Sequence, residues 1–172
     1  MKNSVLVVVD MQEGLFARNV YKKEKLMQNI NLLIDAFGAK GIPVVYFRHT
    51  NDSFSKKDTA GWQLCAELHK HPDDIVFDKS NVSVFKVKAF DIWLQDKGIK
   101  RICFAGLVSN GCVQYACRDA LARGYDTVLA SDAHSTWHKD AETIVEGWTD
   151  RLVRDGVTAI ASEKLANQVL SE

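Results

Sequence analysis

Three side chains able to take part in nucleophilic chemistry stand just beyond short apolar runs. Asp10 closes the run 5–9, Lys79 follows the run 75–77, and Cys112 follows the run 102–105 through Gly106-Leu107-Val108-Ser109-Asn110-Gly111. Cys112 also opens the stretch 113–121, whose pattern predicts a helix with Ser109 or Asn110 as its cap. A thiol in a first helical turn sits at the positive end of the helix dipole, which favours the thiolate. Backbone N–H groups left free at such a turn can bind an oxyanion. Each residue also has a plain alternative. A cysteine is more often a small buried hydrophobe, an acid after a first strand can cap a neighbouring loop, and a lone lysine is commonly solvated. Position alone leaves Cys112 open between nucleophile and core filler.

The elements that must position these residues are marked by a repeated punctuation. Gly41, Gly98, Gly124 and Gly156 each follow a helical-looking stretch and precede an apolar run. Glycine after the last helical turn closes orphan carbonyls in the left-handed conformation, so each mark reads as a helix stop followed by a strand. The runs 5–9, 43–47, 102–105, 127–130 and 158–161 are short and continuous, and 75–77 is a weaker sixth. Continuous rather than alternating apolar residues mean burial on both faces, as in a parallel sheet. Leu26, Ile30, Leu33, Ile34 and Phe37 keep helical spacing between two of them. The expected fold is a three-layer α/β/α, Rossmann-like domain with a mostly parallel sheet of about six strands. The segment from His49 to Pro72 is the least regular, with a short helix expected over 62–70. An irregular insertion beyond a strand's C-terminal end lies where such folds bind ligands.

Composition narrows the functional classes. The chain has 172 residues, enough for one domain with a sizeable core, and only two prolines and no low-complexity linker to mark a boundary. Lysine plus arginine equals aspartate plus glutamate at 22 each, so no net field favours nucleic acid or an anionic membrane. Lys22, Lys23 and Lys25 are interrupted by Glu24 and read as a solvated first helical turn. No segment approaches the roughly 20 apolar residues that span a bilayer. The first ten residues lack a signal peptide's longer apolar stretch and cleavage site. The four cysteines lack C-x-x-C and C-x-x-H spacing and are expected to be reduced, which points to a cytoplasmic location. Gly106 stands without a glycine-rich phosphate motif, so no nucleotide cofactor is expected.

Taken together, the segments resemble a known family. Val7-Val8-Val9-Asp10-Met11-Gln12 with Phe16, Lys79 with Phe85, the stretch from Gly106 to Val113, and Arg118-Asp119-Ala120 through Gly124-Tyr125 to Ser131-Asp132-Ala133 look like the isochorismatase-like cysteine hydrolase superfamily. The resemblance implies a triad of Asp10, Lys79 and Cys112: the carboxylate accepts the thiol proton, the ammonium holds both anions, and the sulfur attacks a carbonyl carbon. It also implies a cis peptide at Leu107–Val108, aiming the N–H of Val108, with that of Cys112, at the oxyanion. Phe16, His49, Trp62, Phe85, Val108 and Asn110 are the candidate substrate contacts. Phe16 and Phe85 stand equally for core packing, Trp62 for an interface, and Asn110 for a helix cap. His134 reads as a structural hydrogen bonder rather than a base.

Departures from the family pattern sharpen the expectation. Nicotinamidases of this superfamily carry D-x-H metal ligands after the second strand, where this chain reads Phe47-Arg48-His49-Thr50-Asn51. No metal is therefore expected, and nicotinamide itself is in doubt as substrate. Isochorismatase proper cleaves a vinyl ether without a cysteine at this place, so Cys112 points to C–N cleavage of a small amide-type molecule. The alternatives are a non-hydrolytic binding or redox-sensing protein using the same thiol, or isochorismatase- or nicotinamidase-type activity, with a flavodoxin-like cofactor binder as a further option. The family commonly forms dimers or tetramers, and a homo-oligomer is expected.

Overall fold

The computed structural model describes residues 1–171. Six strands form one sheet: β1 (Ser4–Val9), β2 (Val44–His49), β3 (Ile75–Lys79), β4 (Arg101–Leu107), β5 (Asp126–Ser135) and β6 (Thr158–Ile160). Their order is β3-β2-β1-β4-β5-β6, and every neighbouring pair is parallel. The helices are α1 (Glu13–Phe16), α2 (Lys23–Ala39), α3 (Lys88–Asp96), α4 (Gln114–Ala122), α5 (Ala141–Asp155) and α6 (Ser162–Ser171).

Strand alternation splits the core in two. Leu6 and Val8 of β1 pack with Leu26, Ile30, Leu33, Ile34 and Phe37 of α2 and with Leu165 and Val169 of α6. Val5, Val7 and Val9 pack on the other face with Phe90 and Leu94 of α3, Cys117 of α4 and Leu152 of α5. All five of these β1 residues are fully buried, which explains why the run is continuously apolar. Each such side chain contributes about 1.5–3 kcal/mol relative to exposure. The result is the expected three-layer α/β/α arrangement.

The four helix-stop glycines have φ between 60° and 110°, and each is followed within three residues by a strand. A fifth, Gly106, serves a different end. At φ 119° it brings β4 so close to β1 that a Cβ would stand 2.1 Å from the carbonyl oxygen of Val9. That contact lies directly before Asp10.

Two expectations about local structure are corrected. No helix covers 62–70; a single 3-10 turn, Ala60–Trp62, precedes an isolated bridge between Gln12 and Leu64. The segment takes its order from tertiary bonds, among them Trp62 Nε1 to Thr50 Oγ1 at 3.0 Å, and not from its own periodicity. Ahead of α4, Ser109–Val113 forms a wide turn broken at Gly111 (φ −135°, ψ −116°), and no side chain caps it. Strand β5 also outruns its apolar core, because a bulge between the Phe104 and Gly106 pairings lets His134 and Ser135 rejoin β4. Among the described residues, no helix is long and apolar enough to cross a membrane.

Candidate active site

Because the strands are parallel, their carboxyl ends share one edge of the sheet. Asp10 follows β1 there with φ 51°, His49 and Lys79 are paired as the last residues of β2 and β3, and Cys112 lies on the turn after β4. Lys79 is the hub. Its Nζ donates to Asp10 Oδ2 at 2.9 Å, to Cys112 Sγ at 3.2 Å and to the carbonyl of Asn81 at 3.1 Å, and lies 3.4 Å from His49 Nδ1. The side chains of Lys79 and Asp10 are 0% and 2% exposed, so their ion pair is shielded from water. Asp10 Oδ1 is buried with no hydrogen-bond partner of ordinary geometry. A carboxylate oxygen of Asp10, a ring nitrogen of His49 and Cys112 Sγ lie within 4.8 Å of one another.

The electrostatics of Cys112 differ from the sequence expectation. Burial, followed by the charge of Asp10, pushes its thiol up to about 12, and Lys79 offsets only part of this. Desolvation, the largest of these causes, opposes the thiolate that a place near a helix start favours. The other three cysteines are free and buried, and burial raises each of them as well. Cys112 alone among the four is half-buried and touches a cation. Burial and the neighbouring ammonium lower the pKa of His49, which keeps its imidazole neutral at pH 7.

The remaining candidates are spread around this centre. The Leu107–Val108 peptide is cis, and Val108 is half-buried against the α2-side core. Asn110 is exposed on the turn. Phe16 lies in the α2-side cluster at 4% exposure with the Lys23 ammonium over its ring. Phe85 lies in the opposite cluster, 5.5 Å from Phe90 and 6.1 Å from Tyr125 between ring centroids. Both are embedded in core packing. Trp62 is 5% exposed, with the Arg48 guanidinium 3.6 Å above its ring and Arg48 itself bound to Asp78.

Gln12 takes a structural role that the sequence alone does not announce. Its buried amide donates to the carbonyls of His49 (3.0 Å) and Trp62 (2.9 Å) and accepts from the His49 N–H (2.7 Å). It thus fixes the end of β2 and the insertion to the end of β1. A glutamine three residues beyond the apolar run 5–9, close behind Asp10, was the available signal. Asn81 contributes only its backbone carbonyl, which no side-chain pattern can announce.

The sheet order defines a three-layer α/β protein, and the polar cluster lies at the carboxyl edge of the sheet, where such folds bind their ligands. The isochorismatase domain pattern matches residues 4–145, and the chain belongs to the isochorismatase family of hydrolases. It is 28% identical to the ureidoacrylate amidohydrolase RutB of Acinetobacter baylyi, over 77% of this chain and 70% of that one. It is 27% identical to the streptothricin hydrolase of Streptomyces noursei, over 77% of this chain and 54% of that one. Among solved structures, a cysteine hydrolase from Pseudomonas syringae pv. phaseolicola superposes with a TM-score of 0.91 at 21% identity, covering 98% of this chain and 93% of the other.

Proposed function

We propose that the chain hydrolyses the C–N bond of a small amide-type substrate through an acyl-enzyme on Cys112. The observation that carries this reading is the position of the Lys79 ammonium, within hydrogen-bond reach of both Asp10 and Cys112. A half-buried thiol pushed up to about 12 needs a base beside it, and Asp10 Oδ1 is a nearby acceptor with no other partner. Asp10 takes the thiol proton as Sγ attacks the carbonyl carbon, and Lys79 balances the negative charge as it moves from oxygen to sulfur. The N–H groups of Val108 and Cys112 receive the oxyanion in this scheme. Asp10 then passes its proton to the departing nitrogen as the C–N bond breaks. Water attacks the thioester, Asp10 takes its proton, and the acid leaves as the thiol is restored.

Relatives named as amidohydrolases support amide cleavage as the reaction type. The raised thiol pKa weighs against the redox-sensor alternative, since sensor cysteines are exposed and of low pKa. The test is turnover of a panel of small primary amides and ureido compounds, with mass spectrometry of the quenched enzyme. The expected result is an acyl adduct on Cys112 and loss of at least about 10³-fold in kcat for Cys112→Ala. Full activity in Cys112→Ala, or an adduct confined to Cys65 or Cys117, overturns the reading.

A further inference from the structure

His134 occupies the β5 position that pairs with Gly106 of β4 and is 4% exposed. Its Nδ1 lies 2.8 Å from Ser109 Oγ, and its Nε2 lies 3.0 Å from Thr149 Oγ1 on α5. The hydroxyl of Thr149 donates to the carbonyl of Val145 at 2.8 Å, so its oxygen is left to accept from Nε2–H. Nδ1 then carries no hydrogen and accepts from the Ser109 hydroxyl. One tautomer satisfies every polar atom in the chain of bonds.

Ser109 is 1% exposed and sits between Val108 and Cys112 on the wide turn, which has no side-chain cap and is non-helical at Gly111. The Ser109–His134 bond is thus the side-chain tie that anchors this turn to β5 and, through Thr149, to α5. We propose that His134 is a positioning residue: its neutral imidazole holds Ser109, and through it the backbone that carries Val108 and Cys112, in the geometry the reaction needs. The inference rests on the acyl-enzyme reading, but its mechanical part does not depend on turnover.

Two substitutions divide the imidazole's bonds. His134→Asn keeps an acceptor near the place of Nδ1 and loses the donor to Thr149, whereas His134→Gln reaches Thr149 and loses the acceptor for Ser109. With the best amide substrate of the wild type, His134→Gln and Ser109→Ala are each expected to lower kcat about tenfold or more, with KM within about twofold. His134→Asn is expected to stay within about threefold of wild type, and adding Ser109→Ala to His134→Gln to cost little more, since both remove one bond. The rate of Cys112 alkylation by iodoacetamide should shift in the same two variants and not in His134→Asn. Equal kcat in the Asn and Gln variants, or losses that follow melting temperature rather than the Ser109 bond, overturn the proposal. If no amide is cleaved by the wild type, the acyl-enzyme reading falls, and equal alkylation rates in Asn and Gln variants still overturn the positioning role. Should His134→Gln fail to fold, Ser109→Ala, which removes one oxygen, decides alone: unchanged kcat and alkylation refute it.

Discussion

Replacing Asp10 by Asn should have two effects of opposite sign. The carboxylate and the Cys112 sulfur lie within 4.8 Å of each other, and the charge on Asp10 is one of the causes that keep the thiol protonated. At an effective dielectric of about 20, a unit charge at that distance is worth about 3.5 kcal/mol. Its removal multiplies the thiolate population by about 300. A less basic thiolate is a weaker nucleophile, and with a Brønsted slope near 0.45 the net gain in alkylation rate is about 20-fold. Lys79 already donates to the sulfur and stays in place as the thiolate's counter-charge. Hydrolysis, in contrast, loses its proton acceptor and donor and should fall by about 10³-fold or more. The assay compares iodoacetamide alkylation of Cys112 at pH 8, followed by peptide mass, with amide turnover in the same preparation. Slower alkylation in Asp10→Asn, or turnover near wild type, would refute this account of the site's electrostatics.

Three further outcomes follow from the same geometry. Lys79→Met leaves the buried Asp10 carboxylate without its counter-ion and is expected to cost about 3–5 kcal/mol in urea unfolding, with part of the loss recovered by adding Asp10→Asn. Burial lowers the pKa of His134 to about 4 from an ordinary 6.5. Below pH 6.5 the unfolded chain therefore binds a proton that the folded chain refuses, and stability falls as pH falls. Wild type should lose about 2 kcal/mol more than His134→Asn between pH 7 and pH 5, measured by denaturant midpoints. Gly106→Ala would drive a Cβ to 2.1 Å from a backbone oxygen at φ 119°, and a loss above about 4 kcal/mol or insoluble expression is expected. An unchanged midpoint would mean that β1 and β4 do not meet so closely.

Much of the scaffold was legible because one physical rule repeats along the chain. The glycines at 41, 98, 124 and 156 each stop a helix before a strand, and the six apolar runs fall within a residue of the six observed strands or inside them. The cluster of Asp10, Lys79 and Cys112 was legible as three strand-end residues, though their convergence needed the sheet order to become a distance. Long-range polar bonds stayed hidden. Gln12, Trp62 and Thr50 order the insertion through partners up to 50 residues away, so the helical pattern of 62–70 misled where no local structure decides. The raised Cys112 thiol was hidden for the same reason, since burial is a property of the assembled fold and not of the local helix start. His134 was recognised as a hydrogen bonder, but a β-bulge decides that its partner is Ser109.

The ammonium of Lys79 stands within 3.4 Å of an atom of Asp10, of His49 and of Cys112. A positive charge borne on the chain cannot be stripped by a chelator and is delivered in fixed stoichiometry by translation. Take it away with a neutral side chain, and a carboxylate, an imidazole and a thiol are left facing one another, the donor types that zinc accepts. The cation and these three donor groups thus share one small volume at the strand ends, and the side chain at position 79 decides the net charge there.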